Sequence, residues 1–286
     1  MDLSGVGVWG ALLRYGDQAE AADAAAELDE LGYSALWIPD VGGPVFDAVE
    51  NLLAATRRAV VATGVLNLWM HTPEETAAAH AALSAAHDDR FLLGIGVSHA
   101  PIVDASGPPR FGKPLAATAA YLDALDAAEP PVPVGSRVLA ALGPKMLALA
   151  AKQTRGVHPY LVTPEHTRHV RETVGDGALV LPEQTVILCS GAEEAREIGA
   201  EWVRSYVQLP NYANSLLRLG FTQDDLETVS DRVFDALVAW GDEEAIARRV
   251  AEHHAAGADH VAVQVLTADQ RSFPREEWRR LAAVLC

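Results

Sequence analysis

The chain has 286 residues, 50% of them hydrophobic and 21% charged, a content that supports a large core and excludes a disordered or low-complexity chain. Lys and Arg total 22 against 39 Asp and Glu, and the formal net charge of −17 repels phosphate backbones, which argues against a nucleic-acid partner. No apolar run reaches the roughly 18 residues a membrane span needs, the first residues lack a signal peptide's basic and apolar stretches, and Cys189 and Cys286 cannot build a disulfide framework, so a cytoplasmic protein with no membrane partner is expected.

Short β-branched runs alternate with alanine-rich helical stretches throughout. Val6 to Trp9 reads as the first strand, and the helix from about Asp17 to Leu31 stops at Gly32, which accepts a left-handed backbone. The second strand, Ala35 to Ile38, ends at Pro39-Asp40 and precedes a helix from about Pro44 to Thr56. The third, Val60 to Asn67, leads to Thr72-Pro73-Glu74-Glu75, where Thr72 reads as an N-cap and Glu75 can close a capping box. The fourth, Phe91 to Val97, precedes a loop over 98–114 and a helix from about Leu115 to Ala128. The fifth, Arg137 to Ala141, breaks at Gly143-Pro144 into a helix Lys145 to Lys152, and the sixth, Val157 to Val162, stops at Thr163-Pro164. The seventh, Thr185 to Cys189, is followed by a helical excursion from Ala192 to Ala239. A helix from Glu243 to Ala255, the eighth strand His260 to Leu266 and an amphipathic stretch Arg275 to Leu285 complete the chain. Eight strands alternating with helices in this length fit an α/β fold, a single (β/α)8 TIM barrel spanning 1–286 with an enlarged helical connection over about 192–239.

Gly5-Val6-Gly7-Val8-Trp9-Gly10 matches the GxGxxG pattern, but the glycines alternate with valines inside a strand and no helix opens at the last one, so the dinucleotide reading fails. His166 with His169, and His253 with His254, lack a carboxylate or thiolate to complete a metal set, so no metal is expected. No nucleophile elbow, CxxC or phosphate-binding P-loop is present.

In such barrels chemistry sits at the carboxyl ends of the strands. There the sequence places Trp9, Trp69 and Tyr160, which suit a flat aromatic ligand, with Trp37 equally suited to the core. Gly143-Pro144-Lys145 opens a helix directly after the fifth strand, so free backbone N–H groups and a lysine meet there, and Arg110 and Lys113 stand in the preceding loop. Two of only three lysines therefore occupy these loops, which points to an anionic cofactor.

Thr63-Gly64-Val65-Leu66-Asn67, Phe91-Leu92-Leu93-Gly94-Ile95-Gly96-Val97-Ser98-His99-Ala100-Pro101, Leu139-Ala140-Ala141-Leu142-Gly143-Pro144-Lys145-Met146 and His158-Pro159-Tyr160-Leu161-Val162-Thr163-Pro164-Glu165-His166-Thr167 resemble the luciferase-like monooxygenase superfamily. More narrowly, they resemble its actinobacterial branch of oxidoreductases that depend on the deazaflavin coenzyme F420. The resemblance covers essentially the whole chain. It implies a non-proline cis peptide at Gly64-Val65 behind the deazaflavin ring, ring contacts from Asp40 and Asn67, and a phosphate grip from Leu142, Gly143, Pro144, Lys145 and Met146. It also implies a homodimer. Two positions depart from relatives that oxidise sugar phosphates or alcohols: Val41 follows Asp40 where they carry histidine, and His99 stands where they carry glutamate.

The expected activity is hydride transfer between coenzyme F420 and a small-molecule substrate, with the substrate pocket formed by Trp9, Trp69, His71, His158 and Tyr160. His99 is the expected catalytic proton donor, with His71 and His158 as further donors; the alternative is that His99 only orders its turn. Two other readings remain: an FMN-dependent monooxygenase on the same fold, and a non-catalytic cofactor-binding barrel.

Overall fold

Every strand pairing in the computed structural model, which describes residues 1, 3–104 and 110–286, is parallel. The strands are β1 (Gly5–Trp9), β2 (Ala35–Ile38), β3 (Val60–Thr63), β4 (Leu66–Asn67), β5 (Phe91–Gly96), β6 (Arg137–Leu139), β7 (Gly156–Val157), β8 (Leu179–Val180), β9 (Glu183–Leu188), β10 (Val238–Gly241) and β11 (His260–Val265). Their order in the sheet is β10-β9-β11-β1-β2-β3-β5-β6-β7-β8, with β4 also on β5.

Side chains alternate across this sheet, as a strand's two-residue period requires. Ala35 and Trp37 of β2, Val60 and Ala62 of β3, and Ala262 of β11 join one buried cluster with Trp9, Leu92, Val138 and Leu181. Their neighbours Leu36, Ile38, Val61, Val261 and Val263 face the other way into a larger cluster shared with the helices. Burial on both faces is what parallel strands with crossover helices demand.

Eleven strands stand where the sequence suggests eight, and each difference has a local cause. The expected third strand divides into β3 and β4 at the cis peptide Gly64–Val65. The fifth stops at Leu139. The sixth is only Gly156–Val157, because Pro159 has no N–H to give and Leu161 turns to φ +55°. The expected seventh starts earlier, as β8 and β9 separated only by Leu181 and Pro182. Hydrogen bonds bridge that gap: Leu181 N donates to Val157 O and Glu183 N to Pro159 O, each 2.9 Å, while Ala262 N donates to Pro182 O at 2.9 Å. β10 is an addition, placed where the helical excursion was expected to end.

Helix ends carry local caps, the expected Gly32 and Thr72 among them. Asp17 accepts from the backbone N–H groups of Ala19 and Glu20 ahead of helix Gln18–Leu31, and Gly32 ends that helix at φ +98°. Thr72 and Glu75 make the reciprocal capping box of helix Pro73–Ala86. The excursion consists of helices Ala192–Val207, Pro210–Arg218, Gln223–Thr228 and Asp231–Leu237. These build their own apolar cluster, including Val203, Tyr212, Leu216 and Phe234, closed onto the sheet by Leu161 and Ile187. The loop expected over 98–114 lies partly outside the described residues; its described parts contain a short helix Ala100–Val103 and the start of helix Pro114–Ala127. Among the described residues no helix is long and apolar enough to cross a membrane.

Candidate active site

Because all strands run in one direction, their carboxyl ends share one rim. The cis peptide Gly64–Val65 stands on it, partly exposed. Gly64 N donates to Ile38 O at 2.7 Å, and Gly64 O accepts from Trp9 Nε1 at 3.0 Å. A Cβ on Gly64 would lie 2.7 Å from Trp9 Nε1 and 3.1 Å from His158 Nε2, so only glycine fits between the two rings. Gly96 serves the next residue in the same way, since a Cβ there would meet Val65 Cγ2 at 2.4 Å.

Asp40 is buried beside this peptide. Its Oδ2 accepts from Asn67 N at 3.0 Å and from His71 Nε2 at 2.9 Å, and its Oδ1 accepts from Gly42 N at 3.0 Å. Burial alone would raise the carboxyl; these donors outweigh it and hold Asp40 below the ordinary carboxylate range. The ionised Asp40 fixes the hydrogen of His71 on Nε2, leaving Nδ1 without a protein partner among the described residues. Asn67 is buried; its Oδ1 accepts from Trp69 N at 3.2 Å, while its Nδ2 has no partner among the described residues.

His158 is buried, stacked on Trp37 with ring centroids 4.1 Å apart. Its Nδ1 donates to Leu181 O at 2.7 Å, and its Nε2 is buried without a partner among the described residues. Burial pushes the imidazole down to about 4, so His158 is neutral, and its bare Nε2 is an acceptor. In this geometry the Nε2 facing Gly64 carries no hydrogen to donate. Trp37 belongs to the core, donating to His260 Nε2 at 3.1 Å. Trp69 braces two loops: its Nε1 donates to Val97 O at 2.9 Å and its ring lies 5.7 Å from that of Phe111.

Tyr160 packs against Trp9, ring centroids 5.3 Å apart, and its hydroxyl donates to Gln264 Oε1 at 2.6 Å. Tyr206 and Tyr212 from the excursion pack against the same phenol, at 5.5 Å and 6.4 Å. His99 packs on Tyr212, centroids 5.5 Å apart; burial lowers its imidazole, and a hydrogen bond with Asn211 opposes that effect. Glu183 is fully buried below these tyrosines, its Oε2 accepting from Leu161 N at 2.9 Å and its Oε1 from Thr185 Oγ1 at 2.7 Å. Burial pushes Glu183 up to about 7.

The expected anion-binding junction lies at the start of helix Pro144–Gln153. Gly143 is the N-cap of helix Pro144–Gln153 and no side chain caps its first turn. Pro144 and Lys145 are exposed, while Leu142 and Met146 are partly buried and pack on the apolar clusters. Arg218, at the end of helix Pro210–Arg218, donates from Nη2 to Leu142 O at 3.1 Å and brings a second cation to the junction. Sequence reasoning missed Arg218, Glu183 and Gln264. Arg218 sits in an excursion read only as helical, and the other two sit within strands where a polar residue gives no positional signal.

The geometry matches known proteins along the whole chain. A Mycobacterium tuberculosis (strain ATCC 25618 / H37Rv) protein named as a coenzyme F420-dependent oxidoreductase, Rv3520c, is 26% identical, covering 93% of this chain and 95% of its own. The coenzyme F420 dependent tetrahydromethanopterin reductase from Methanopyrus kandleri superposes with a TM-score of 0.79 at 15% identity, over 100% of this chain and 99% of that one. The oxygenating constituent of 3,6-diketocamphane monooxygenase from Pseudomonas putida, in complex with FMN, superposes with a TM-score of 0.69 at 12% identity, over 99% and 97%. The two superpositions show a common fold. The model of the luciferase-like monooxygenase family matches residues 4–260, and the chain belongs to that family.

Proposed function

We propose that this protein is an oxidoreductase that transfers a hydride between coenzyme F420 and a small organic substrate at the strand rim. In this reading the sheet is one closed (β/α)8 barrel domain over 1–286, with β8 and β9 acting as a single bent strand. The observation that carries the proposal is that two buried polar atoms have no partner among the described residues, the donor Asn67 Nδ2, three residues beyond Gly64, and the acceptor His158 Nε2, which faces Gly64. Leaving either group unpaired costs about 1–3 kcal/mol, so a ligand that satisfies both is strongly favoured. The pyrimidinedione edge of a deazaflavin or flavin presents C=O and N–H side by side, the complement of that pair.

When bound, the coenzyme supplies the carbon that gives or takes the hydride. The chain does the rest. Gly64, Val65 and Gly96 make a thin support for a flat ring. Lys145, Arg218 and the uncapped first turn of helix Pro144–Gln153 hold a phosphate. Trp9, Tyr160 and Tyr206 keep water from the reacting side. Proton handling falls to His71, whose orientation the Asp40 carboxylate fixes, while His99, neutral against Tyr212, forms the wall. The Asp40–His71 pair thus replaces the aspartate-histidine neighbours that Val41 removes.

The relative named as F420-dependent supports the deazaflavin, whereas the neighbour holding FMN supports only the fold. Titration of the purified protein with oxidised coenzyme F420 and with FMN, followed by difference spectroscopy, separates them. We expect saturable binding of the deazaflavin with FMN at least about tenfold weaker, a gap of ~1.4 kcal/mol. Tighter binding of FMN would turn the reading into a flavin monooxygenase, and deazaflavin binding without turnover of any substrate would leave a binding protein.

A further inference from the structure

A cavity of about 190 Å³ opens between the loops after β1 and β11 and helix Ala192–Val207. Trp9, Trp202, Tyr206 and Phe273 give it aromatic walls, and Gln264 and Asp269 are among its polar groups. It shares one indole with the cis-peptide region, since Trp9 donates to Gly64 O. A cavity of about 150 Å³ holds one benzene ring. The present volume therefore takes a single substituted six-membered ring and is too small for a three-ring coenzyme, so it is a second place, adjoining the first.

Its polar groups define what that ring carries. The Tyr160 hydroxyl, donating to Gln264 Oε1 at 2.6 Å, fixes the amide and leaves Nε2 without a protein partner among the described residues. An oriented N–H donor inside aromatic walls selects a ligand oxygen acceptor, because a ligand without one leaves the donor desolvated and unpaired. At the rim, Asp269 accepts from Arg271 N at 3.0 Å and from Ser272 Oγ at 2.7 Å. Those bonds keep it ionised. Among the described residues no lysine, arginine or histidine lines the cavity, and Arg271 at its edge is already engaged by Asp269, so the lining favours a neutral guest over an anion.

We propose that this cavity receives a neutral, single-ring carbonyl compound whose oxygen bonds Gln264 Nε2, and that this compound is the substrate class of the reaction proposed above. The chemistry rests on that reading, but the binding preference does not. The test is titration of the intact protein with cyclohex-2-enone, cyclohexene and cyclohexanecarboxylate by saturation-transfer NMR. The enone should saturate, with the hydrocarbon and the carboxylate each at least about tenfold weaker. Gln264→Met, close in shape, should cost the enone about tenfold and leave deazaflavin binding intact. Asp269→Asn, at an exposed site, should narrow the carboxylate's disadvantage severalfold. Equal binding of the carboxylate by the unaltered protein, or an unchanged enone affinity in a folded Gln264→Met variant, overturns the proposal. If the enone binds as expected but no deazaflavin does, the redox reading fails and the cavity stands. If the deazaflavin binds and the enone shows no preference, the cavity assignment fails alone.

Discussion

Asp40 and His71 meet although thirty-one positions separate them, because the ends of β2 and β4 lie side by side on the rim. A carboxylate that accepts from one imidazole nitrogen fixes the tautomer and the orientation of the ring. His71→Gln keeps a side chain that can donate to Asp40 but removes the titrating group. We expect kcat to fall about a hundredfold with deazaflavin affinity nearly unchanged, whereas His99→Gln lowers it less than about tenfold. Steady-state kinetics on both variants check this, and the reverse order would return the role to His99. At this scale the sequence marked Asp40, Gly64 and Asn67 because motif and strand end coincide there. It did not show that His158 is an acceptor, since that depends on Leu181 O taking its only hydrogen.

Secondary-structure elements were legible wherever their ends carry their own chemistry. Thr72, Thr163 and Asp17 cap helices through local hydrogen bonds that need no tertiary partner. The sixth strand ends earlier and the seventh begins earlier than the sequence suggests, because Pro159 and Pro182 interrupt donors there and the segment is kept extended by pairing with elements remote in sequence, β7 and β11. The proposed phosphate junction joins two elements remote in sequence, helix Pro144–Gln153 and helix Pro210–Arg218. If Lys145 and Arg218 grip one phosphate, Lys145→Ala and Arg218→Ala should each weaken the deazaflavin about tenfold at low ionic strength and much less in high salt. A deazaflavin stripped of its phosphate tail should bind both variants as it binds the unaltered protein. Titrations at two salt concentrations with both ligands measure the difference.

The molecule as a whole stores its acid sensitivity in buried imidazoles. Burial lowers His158 and His166 to about 4, and His253 and His260 to about 3, against an ordinary 6.5. His253 is held neutral between Thr167 Oγ1 and Gln184 Oε1, each 2.9 Å away. Between those values and 6.5 the unfolded chain binds protons that the folded chain refuses, so stability falls as pH falls, by about 1.4 kcal/mol per pH unit for each histidine once the unfolded form is protonated. Glu183 acts in the opposite sense: raised from 4.5 to about 7, it penalises the folded state above that window and relieves it on acidification. Four groups outweigh one. Urea denaturation should therefore show a steep loss of stability from pH 6.5 to 4.5, and a flat or rising profile there would contradict the neutral assignment of these histidines. The alternating architecture was readable from periodicity alone, but these polar interiors were not, because a lone histidine in a helix, strand or loop gives no sign of which face it takes.

Helices Ala192–Val207 and Pro210–Arg218 supply Trp202 and Tyr206 to the aromatic wall and Arg218 to the anion junction. On the proposed reading one inserted module touches both guests, while the sheet beneath it keeps its own core. Grafting a different module between β9 and β10 would exchange specificity wholesale, retuning cargo and carrier together without editing the scaffold that aligns them.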